Sequence, residues 1–215
     1  MTLIYFYGNG TCLAQSRQVF NEFRRLGYDV IMPDYEGYGM SGGRPSEAGC
    51  YAAADAAYDY LLTRSDVDKN RIVAVGWSLG SAVAIDLASR RPVAGLVTFS
   101  AFTSMSDEAA NFVPWIAAAL LVTPQFESIK KIPDVSCPIL MFHGTQDTLV
   151  PPEMSDRLAR AAKAKVTEIR VKGAGHNDIF AIGGQSLFQQ VQKFVDGLQA
   201  TTPTTRAAAS GPAAN

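Results

Sequence analysis

Unbroken apolar runs alternate with amphipathic segments along most of the chain. The runs predict buried strands at residues 2–7, 28–32, 71–75, 93–99, 137–142 and 166–171. The segments between them predict helices at residues 12–26, 47–63, 79–90, 151–163 and 185–198. Strands that are apolar throughout need cover on both faces, so the pattern predicts an α/β fold: a three-layer sandwich around a mostly parallel, twisted sheet.

The alternation is lost between about residues 100 and 135. Large apolar side chains are too frequent there for a simple connection, and Pro114 and Pro124 divide the segment. It is predicted to form one or two short helices that make a small cap. Residues 1–199 are then expected to be one domain with this insertion, and residues 200–215, which are small and polar, to be a disordered tail.

Composition narrows the class of protein. The 215 residues suit one domain, and the net charge of −1 comes without a basic run, which argues against nucleic acid as a partner. Cys12, Cys50 and Cys137 fit neither a metal site nor a disulfide framework, so reduced thiols in a cytoplasmic protein are expected. No apolar run reaches membrane-spanning length, and the start of the chain lacks signal-peptide features, although a lost targeting segment stays open.

Residues 76–80 carry the strongest sign of chemistry. They read Gly-Trp-Ser-Leu-Gly, directly after a predicted strand and before a predicted helix. In this context the motif makes a strained turn that exposes the hydroxyl of Ser78, and the two glycines allow the strand and the helix to approach closely. The motif alone also fits an ordinary tight turn, so the partners of the serine decide between the two interpretations.

A serine nucleophile needs a base, and the chain contains two histidines. His176 lies in a loop after the last predicted strand, where Gly173 and Gly175 allow close approach to another loop. His143 ends the strand before it. We therefore predict that His176 is the base and that His143 braces the strand end by hydrogen bonding.

The base in turn needs an acid to orient it. Asp147 follows a late strand directly and is the predicted partner, although an aspartate in such a turn also commonly bonds its own backbone. Asp178 is the second choice, but it lies close to His176 in sequence, and we expect it to cap the next segment instead. The resulting order along the chain is Ser78, Asp147, His176, as in hydrolases with a nucleophile elbow.

The negative oxygen formed on attack needs two N–H donors. One is expected to be the backbone N–H of Leu79, which follows the nucleophile. The second should come from the loop after the first strand, where Asn9 is preferred and Gly10 is the alternative. The same loop also fits a plain glycine-rich turn.

Four stretches together resemble the α/β-hydrolase superfamily: residues 7–10, 33–41, 76–80, and 144–147 with 175–176. They are most similar to its serine-aminopeptidase-like and monoacylglycerol-lipase-like branch, whose members have small caps and hydrolyse esters. Two departures stand out. Tyr7 replaces a structural histidine of the family, which implies an altered oxyanion loop. The family also has two antiparallel strands ahead of the segment that corresponds to residues 2–7, so the sheet is expected to end on the strand at residues 28–32 with an unpaired edge.

These features predict a carboxylesterase-type serine hydrolase without metal or cofactor. Its substrate is expected to be a small ester with a short, medium or aromatic acyl group, and the protein to be a monomer or homodimer. Apolar side chains that could wall the acyl pocket, or simply pack the cap on the core, are Phe102, Met105, Phe112, Trp115 and Leu149.

Several alternatives stay open at this stage. A C–C bond hydrolase or a cofactor-free haloperoxidase would use the same three residues. An aminopeptidase would need a clamp for the free amine, for which Asp107 and Glu108 are candidates. A non-catalytic binding module is disfavoured, because such modules usually lose a member of the triad.

Overall fold

A single six-stranded sheet organises the molecule in the computed structural model, which describes residues 1–110 and 125–198. The strands are β1 (Thr2–Phe6), β2 (Asp29–Ile31), β3 (Ile72–Trp77), β4 (Gly95–Phe99), β5 (Ile139–Gly144) and β6 (Val166–Val171). They lie in the order β2-β1-β3-β4-β5-β6, and every neighbouring pair among them is parallel. The predicted parallel α/β sheet is confirmed.

Helices cover both faces of the sheet. They are α1 (Arg17–Arg25), α2 (Glu47–Thr63), α3 (Leu79–Arg90), α4 (Met105–Ala110), α5 (Ser128–Lys131) with a following 3-10 turn (Ile132–Asp134), α6 (Glu153–Ala161) and α7 (Ile179–Asp196). Helices α2 and α3 pack together on one face, where α5 adjoins α3 and α6 adjoins α5, and α1 packs with α7 on the other. The three-layer arrangement is therefore confirmed.

Two helices begin five or six residues away from the predicted start. Helix α1 starts at Arg17 rather than at residue 12, because residues 12–16 form turns and the N–H of Leu13 donates to Asp34 Oδ1 at 3.1 Å. Helix α7 starts at Ile179, six residues before the predicted start. Gly184 leaves helical geometry inside it (φ 49°, ψ −146°), and this kink hides the first turns from a periodicity argument.

Burial follows the position of each strand in the sheet. Strands β1, β4 and β5 are buried along their whole length, whereas β2 and β6 are partly exposed. Within the described residues β2 pairs only with β1, so the predicted unpaired edge is present.

The predicted cap is described only in part. Helices α4 and α5 lie at its two ends. Residues 111–124, and with them Phe112 and Trp115, lie outside the described residues, and so does the tail predicted at residues 200–215. None of the described helices is long and apolar enough to cross a membrane.

Candidate active site

Ser78 lies at the turn between β3 and α3, in the strained backbone conformation that the motif predicts. Its φ of 55° and ψ of −121° are rare for a residue with a side chain. A Cβ atom on Gly76 would lie 2.1 Å from the Gly80 carbonyl oxygen, and one on Gly80 would lie 2.0 Å from the Phe6 carbonyl oxygen. Both glycines are therefore required by the close approach of α3 to the sheet.

Three loops at the carboxyl ends of the strands place Ser78, His176 and Asp147 in one hydrogen-bonded line. His176 Nε2 is 2.9 Å from Ser78 Oγ, and His176 Nδ1 is 2.8 Å from Asp147 Oδ2. Both His176 and Asp147 are buried. A hydroxyl, an imidazole and a carboxylate in this order can pass a proton from the hydroxyl to the ring.

Asp147 is only 4% exposed, and its carboxylate is held on both oxygens. Its Oδ1 accepts hydrogen bonds from the N–H groups of Leu149 at 3.1 Å and Val150 at 2.8 Å. Burial alone would raise its pKa. The hydrogen bonds from His143, His176 and Val150 outweigh burial and hold the pKa of Asp147 well below its ordinary value of 3.8. Asp147 is therefore ionised at neutral pH.

His143 braces the strand end and also contacts the acid. Its Nε2 is 2.8 Å from the Val150 carbonyl oxygen and 3.4 Å from Asp147 Oδ2. Its Nδ1 contacts the Ser155 hydroxyl. Because the Val150 carbonyl can only accept, we assign the ring proton to Nε2, which leaves Nδ1 to accept from Ser155.

The loop of His176 is fixed by two contacts that sequence reasoning missed. Trp77 donates its indole N–H to the His176 carbonyl oxygen at 3.3 Å. Asp178 Oδ1 accepts from the Gly175 N–H at 2.7 Å, and the Asp178 side chain makes no capping bond to α7. Asp178 thus occupies the N-cap position of α7, as expected, and its carbonyl accepts from the Ile182 N–H at 2.8 Å, but its carboxylate is used in the loop rather than in capping.

Leu79 and Asn9, the two residues predicted to supply the oxyanion donors, line one cavity. Leu79 opens α3, so its N–H has no partner within the helix. Asn9 is exposed in the loop after β1, and its Oδ1 accepts from the Tyr38 hydroxyl at 2.7 Å. Leu79 and Asn9 both border a cavity of about 150 Å³, whereas Gly10, the alternative donor, is not among its lining residues.

Tyr7 ties the oxyanion loop to the loop after β2. Its hydroxyl donates to Asp34 Oδ1 at 2.6 Å and accepts from the Tyr35 N–H at 3.3 Å. Burial, followed by the contact with Asp34, raises the pKa of Tyr7 well above 10. The tyrosine at the family's histidine position therefore stays neutral and bridges the two loops.

The residues predicted to wall the acyl pocket do not all lie around one cavity. Met105 lines the cavity beside Leu79 and Asn9. Phe102 is buried and Leu149 is 37% exposed, and neither lines this cavity. Phe126 and Cys50 line it and were not predicted, since nothing in the sequence near them indicates a pocket.

No group of three or more His, Cys, Asp or Glu side chains in residues 1–110 and 125–198 is arranged to hold a metal ion. Cys12, Cys50 and Cys137 are free thiols.

Comparison with known proteins places this arrangement in a family. A family model described as the alpha/beta hydrolase fold matches residues 2–125 and 100–181. An uncharacterized protein of Mycobacterium tuberculosis is 41% identical over 170 residues, which is 79% of this chain and 60% of that protein. Human alpha/beta hydrolase domain-containing protein 17C is 36% identical over 182 residues, or 83% of this chain and 53% of that protein. The chain thus spans little more than half the length of these relatives.

Among solved structures, an esterase from Pyrococcus furiosus superposes with a TM-score of 0.75 at 20% identity, over 92% of this chain and 83% of the esterase. At that identity the likeness shows the fold alone. The family model covers most of the chain, and the parallel sheet and the nucleophile turn have the matching form. The chain therefore belongs to the α/β-hydrolase-fold family.

Proposed function

We propose that the protein is a serine hydrolase that cleaves carboxylic esters through an acyl-enzyme intermediate. The single observation that carries this proposal is the hydrogen-bonded line from Ser78 through His176 to Asp147, with distances of 2.9 and 2.8 Å. Each link is short enough for proton transfer, and the carboxylate at its end is buried and ionised.

In the first half-reaction His176 Nε2 takes the proton of Ser78 while Oγ attacks the ester carbonyl. Asp147 fixes the ring so that Nε2 faces the hydroxyl, and it stabilises the imidazolium that forms. The imidazolium then gives its proton to the leaving alcohol, and the acyl group stays on Ser78. In the second half-reaction a water molecule, deprotonated by the same nitrogen, releases the acid.

The negative oxygen of each tetrahedral intermediate is assigned to the N–H groups of Leu79 and Asn9. Leu79 stands at the amino end of the twelve-residue helix α3, whose dipole favours negative charge there. The contact from Tyr38 restrains the side chain of Asn9 and so limits motion of the loop that would supply the second donor.

The decisive test is the variant Ser78→Ala, assayed on p-nitrophenyl esters. We expect turnover to fall by at least about a thousandfold, because the nucleophile is lost while the fold is kept. A fluorophosphonate probe should label the wild type at Ser78 and leave the variant unlabelled. Undiminished hydrolysis by the variant would refute the proposal.

An aminopeptidase-like activity is a second candidate. Of the two carboxylates predicted as an amine clamp, Asp107 is engaged by Arg157 at 2.9 Å and by the Thr103 hydroxyl at 2.6 Å. Glu108 makes no side-chain hydrogen bond or ion pair within the described residues, and burial raises its pKa, with smaller effects of the charges of His176 and Asp147. Comparing neutral esters with aminoacyl esters in the same assay separates this activity from the first.

A further inference from the structure

We propose that Phe126 closes the far end of the acyl pocket, and that Glu47 holds it there, so that the enzyme accepts acyl groups of up to about six carbons. This inference rests on the proposed ester hydrolysis at Ser78. It adds the class of substrate and the two residues that set its size.

The cavity starts where the ester carbonyl is expected to lie. Leu79 and Asn9, the two proposed oxyanion donors, line it together with Cys50, Phe126 and Glu47, and polar side chains such as Ser46 complete part of its wall. Because a carbonyl oxygen held by both N–H groups lies at the border of this cavity, the acyl chain attached to it can extend into the cavity, which is partly open to solvent. The volume of about 150 Å³ equals that of a protein cavity that binds benzene, which sets a limit of about six carbons.

Phe126 is held in one conformation. Its φ of 50° lies in the left-handed region, which a large side chain rarely adopts without support. The ring is only 4% exposed and packs edge-on against Tyr51, with 5.6 Å between the ring centres. The ring therefore has little freedom to swing aside and lengthen the pocket.

Glu47 provides the support that this conformation needs. A single carboxylate oxygen, Oε1, accepts from the Phe126 N–H at 2.9 Å and from the Tyr51 hydroxyl at 2.7 Å. Lys131 lies 3.8 Å from the same oxygen. Glu47 belongs to the first turn of α2, so one side chain ties both the backbone and the ring partner of Phe126 to the main body of the fold.

The unmodified enzyme gives the first test. Kinetics on p-nitrophenyl acetate, butanoate, hexanoate, octanoate and decanoate should show kcat/KM rising to hexanoate and falling beyond it. In Phe126→Ala and Phe126→Gly the ring is gone, and each methylene that gains a buried place should raise kcat/KM by about fourfold. Octanoate has two more methylenes than hexanoate, so the ratio of octanoate to hexanoate activity should rise about fifteenfold. Phe20→Ala, on the opposite face of the sheet, is the matched control and should leave the ratio unchanged.

Further variants address the support by Glu47 and the lining residue Cys50. Glu47→Gln keeps the size of a side chain that itself lines the cavity but weakens its hold on Phe126, and it should raise the same ratio. Glu47→Ala also removes lining atoms and should raise it further. Cys50→Met puts a longer side chain into the cavity and should lower hexanoate relative to acetate activity about tenfold.

The outcomes separate this inference from the function on which it rests. Equal activity of the unmodified enzyme on butanoate and decanoate would overturn it. So would an unchanged length profile in Phe126→Ala and Cys50→Met while a fluorophosphonate still labels Ser78. Loss of that labelling in the unmodified enzyme would instead remove the proposed function itself.

Discussion

Asp147 is the most heavily hydrogen-bonded residue of the proposed triad, and its carboxylate is both buried and charged. Its carboxylate receives two backbone N–H groups and two imidazole contacts. Because all four favour the charged form, they lower its pKa despite burial. The same contacts that orient His176 therefore also make the folded state resist protonation at this position.

This coupling predicts how stability depends on pH. Below the ordinary pKa of 3.8 the unfolded chain binds a proton at residue 147 that the folded chain does not, so acid favours unfolding. The stabilisation is complete above about pH 5 and is lost as the pH falls below about 4. The free energy of unfolding of the wild type, measured in urea, should therefore approach that of Asp147→Asn by up to about 1.4 kcal/mol per pH unit in that range.

The matched control is Asp134→Asn, which removes an exposed carboxylate in the 3-10 turn. Its difference from the wild type should stay nearly constant over the same range. A constant difference for Asp147→Asn down to pH 3 would contradict the assignment.

Some residues of the site can be predicted from the sequence. Others cannot, because their place depends on contacts that only the fold creates. Ser78 stands in a motif whose strained turn requires a glycine on each side. His176 is one of only two histidines in the chain. No sequence motif identifies Phe126. Its place in the cavity depends on a positive φ and on a contact with Glu47, which is 79 residues away in the chain. Trp77 is missed likewise, since only the fold brings its indole to the His176 carbonyl.

At the scale of elements, Lys131 links the end of the cap to the helical layer beside the sheet. Its Nζ lies 2.7 Å from Asp86 Oδ1 on α3 and 3.9 Å from the centre of the Tyr51 ring on α2. Asp86 is buried and also pairs with Arg90 at 2.6 Å. A buried carboxylate that loses one of two cations is left partly uncompensated.

Lys131→Met should therefore destabilise the protein by about 1–3 kcal/mol, measured by urea unfolding at neutral pH. The neighbouring Lys130→Met is the control. Lys130 is 68% exposed and pairs only with Glu127 among the described residues, so its loss should cost less than about 0.5 kcal/mol. Equal costs for the two variants would show that Lys131 is no more than a surface charge.

The elements differ in how well their bounds follow from sequence. Helix α2 is predicted to the residue, because Ser46 caps its first turn by accepting from the Gly49 N–H and the chain turns extended at Arg64. Helix α1 is predicted too long, since Asp34, from a distant loop, captures the Leu13 N–H. Local capping signals therefore set the bounds of α2, whereas a tertiary contact sets the start of α1.

At the scale of the molecule, the parallel sheet explains why residues far apart in sequence meet. The loops after β3, β5 and β6 leave the same edge, and they carry Ser78, Asp147 and His176. This much follows from alternation of strands and helices alone. The order of the strands does not: the place of β2 at the rim was expected only from the family resemblance.

The exposed rim at β2 predicts self-association through strand pairing. The N–H of Asp29 donates to the Met1 carbonyl, so Asp29 and Ile31 direct their backbone groups to β1, whereas Val30, between them, directs its own outward. Such free groups form a template for another strand. A protein made of these 215 residues should therefore show concentration-dependent dimerisation in light scattering coupled to gel filtration.

Val30→Pro tests this edge without breaking the sheet. Proline removes an N–H that points away from β1 and keeps the extended backbone, so the fold and the proposed ester activity should persist while dimerisation is lost. Val30→Thr keeps both the N–H and the branched side chain, and it should dimerise like the wild type. A dimer that survives in Val30→Pro, or a wild type that stays monomeric at high concentration, would show that the edge is protected by its shortness and by the paired charges of Arg24 and Asp29 beside it.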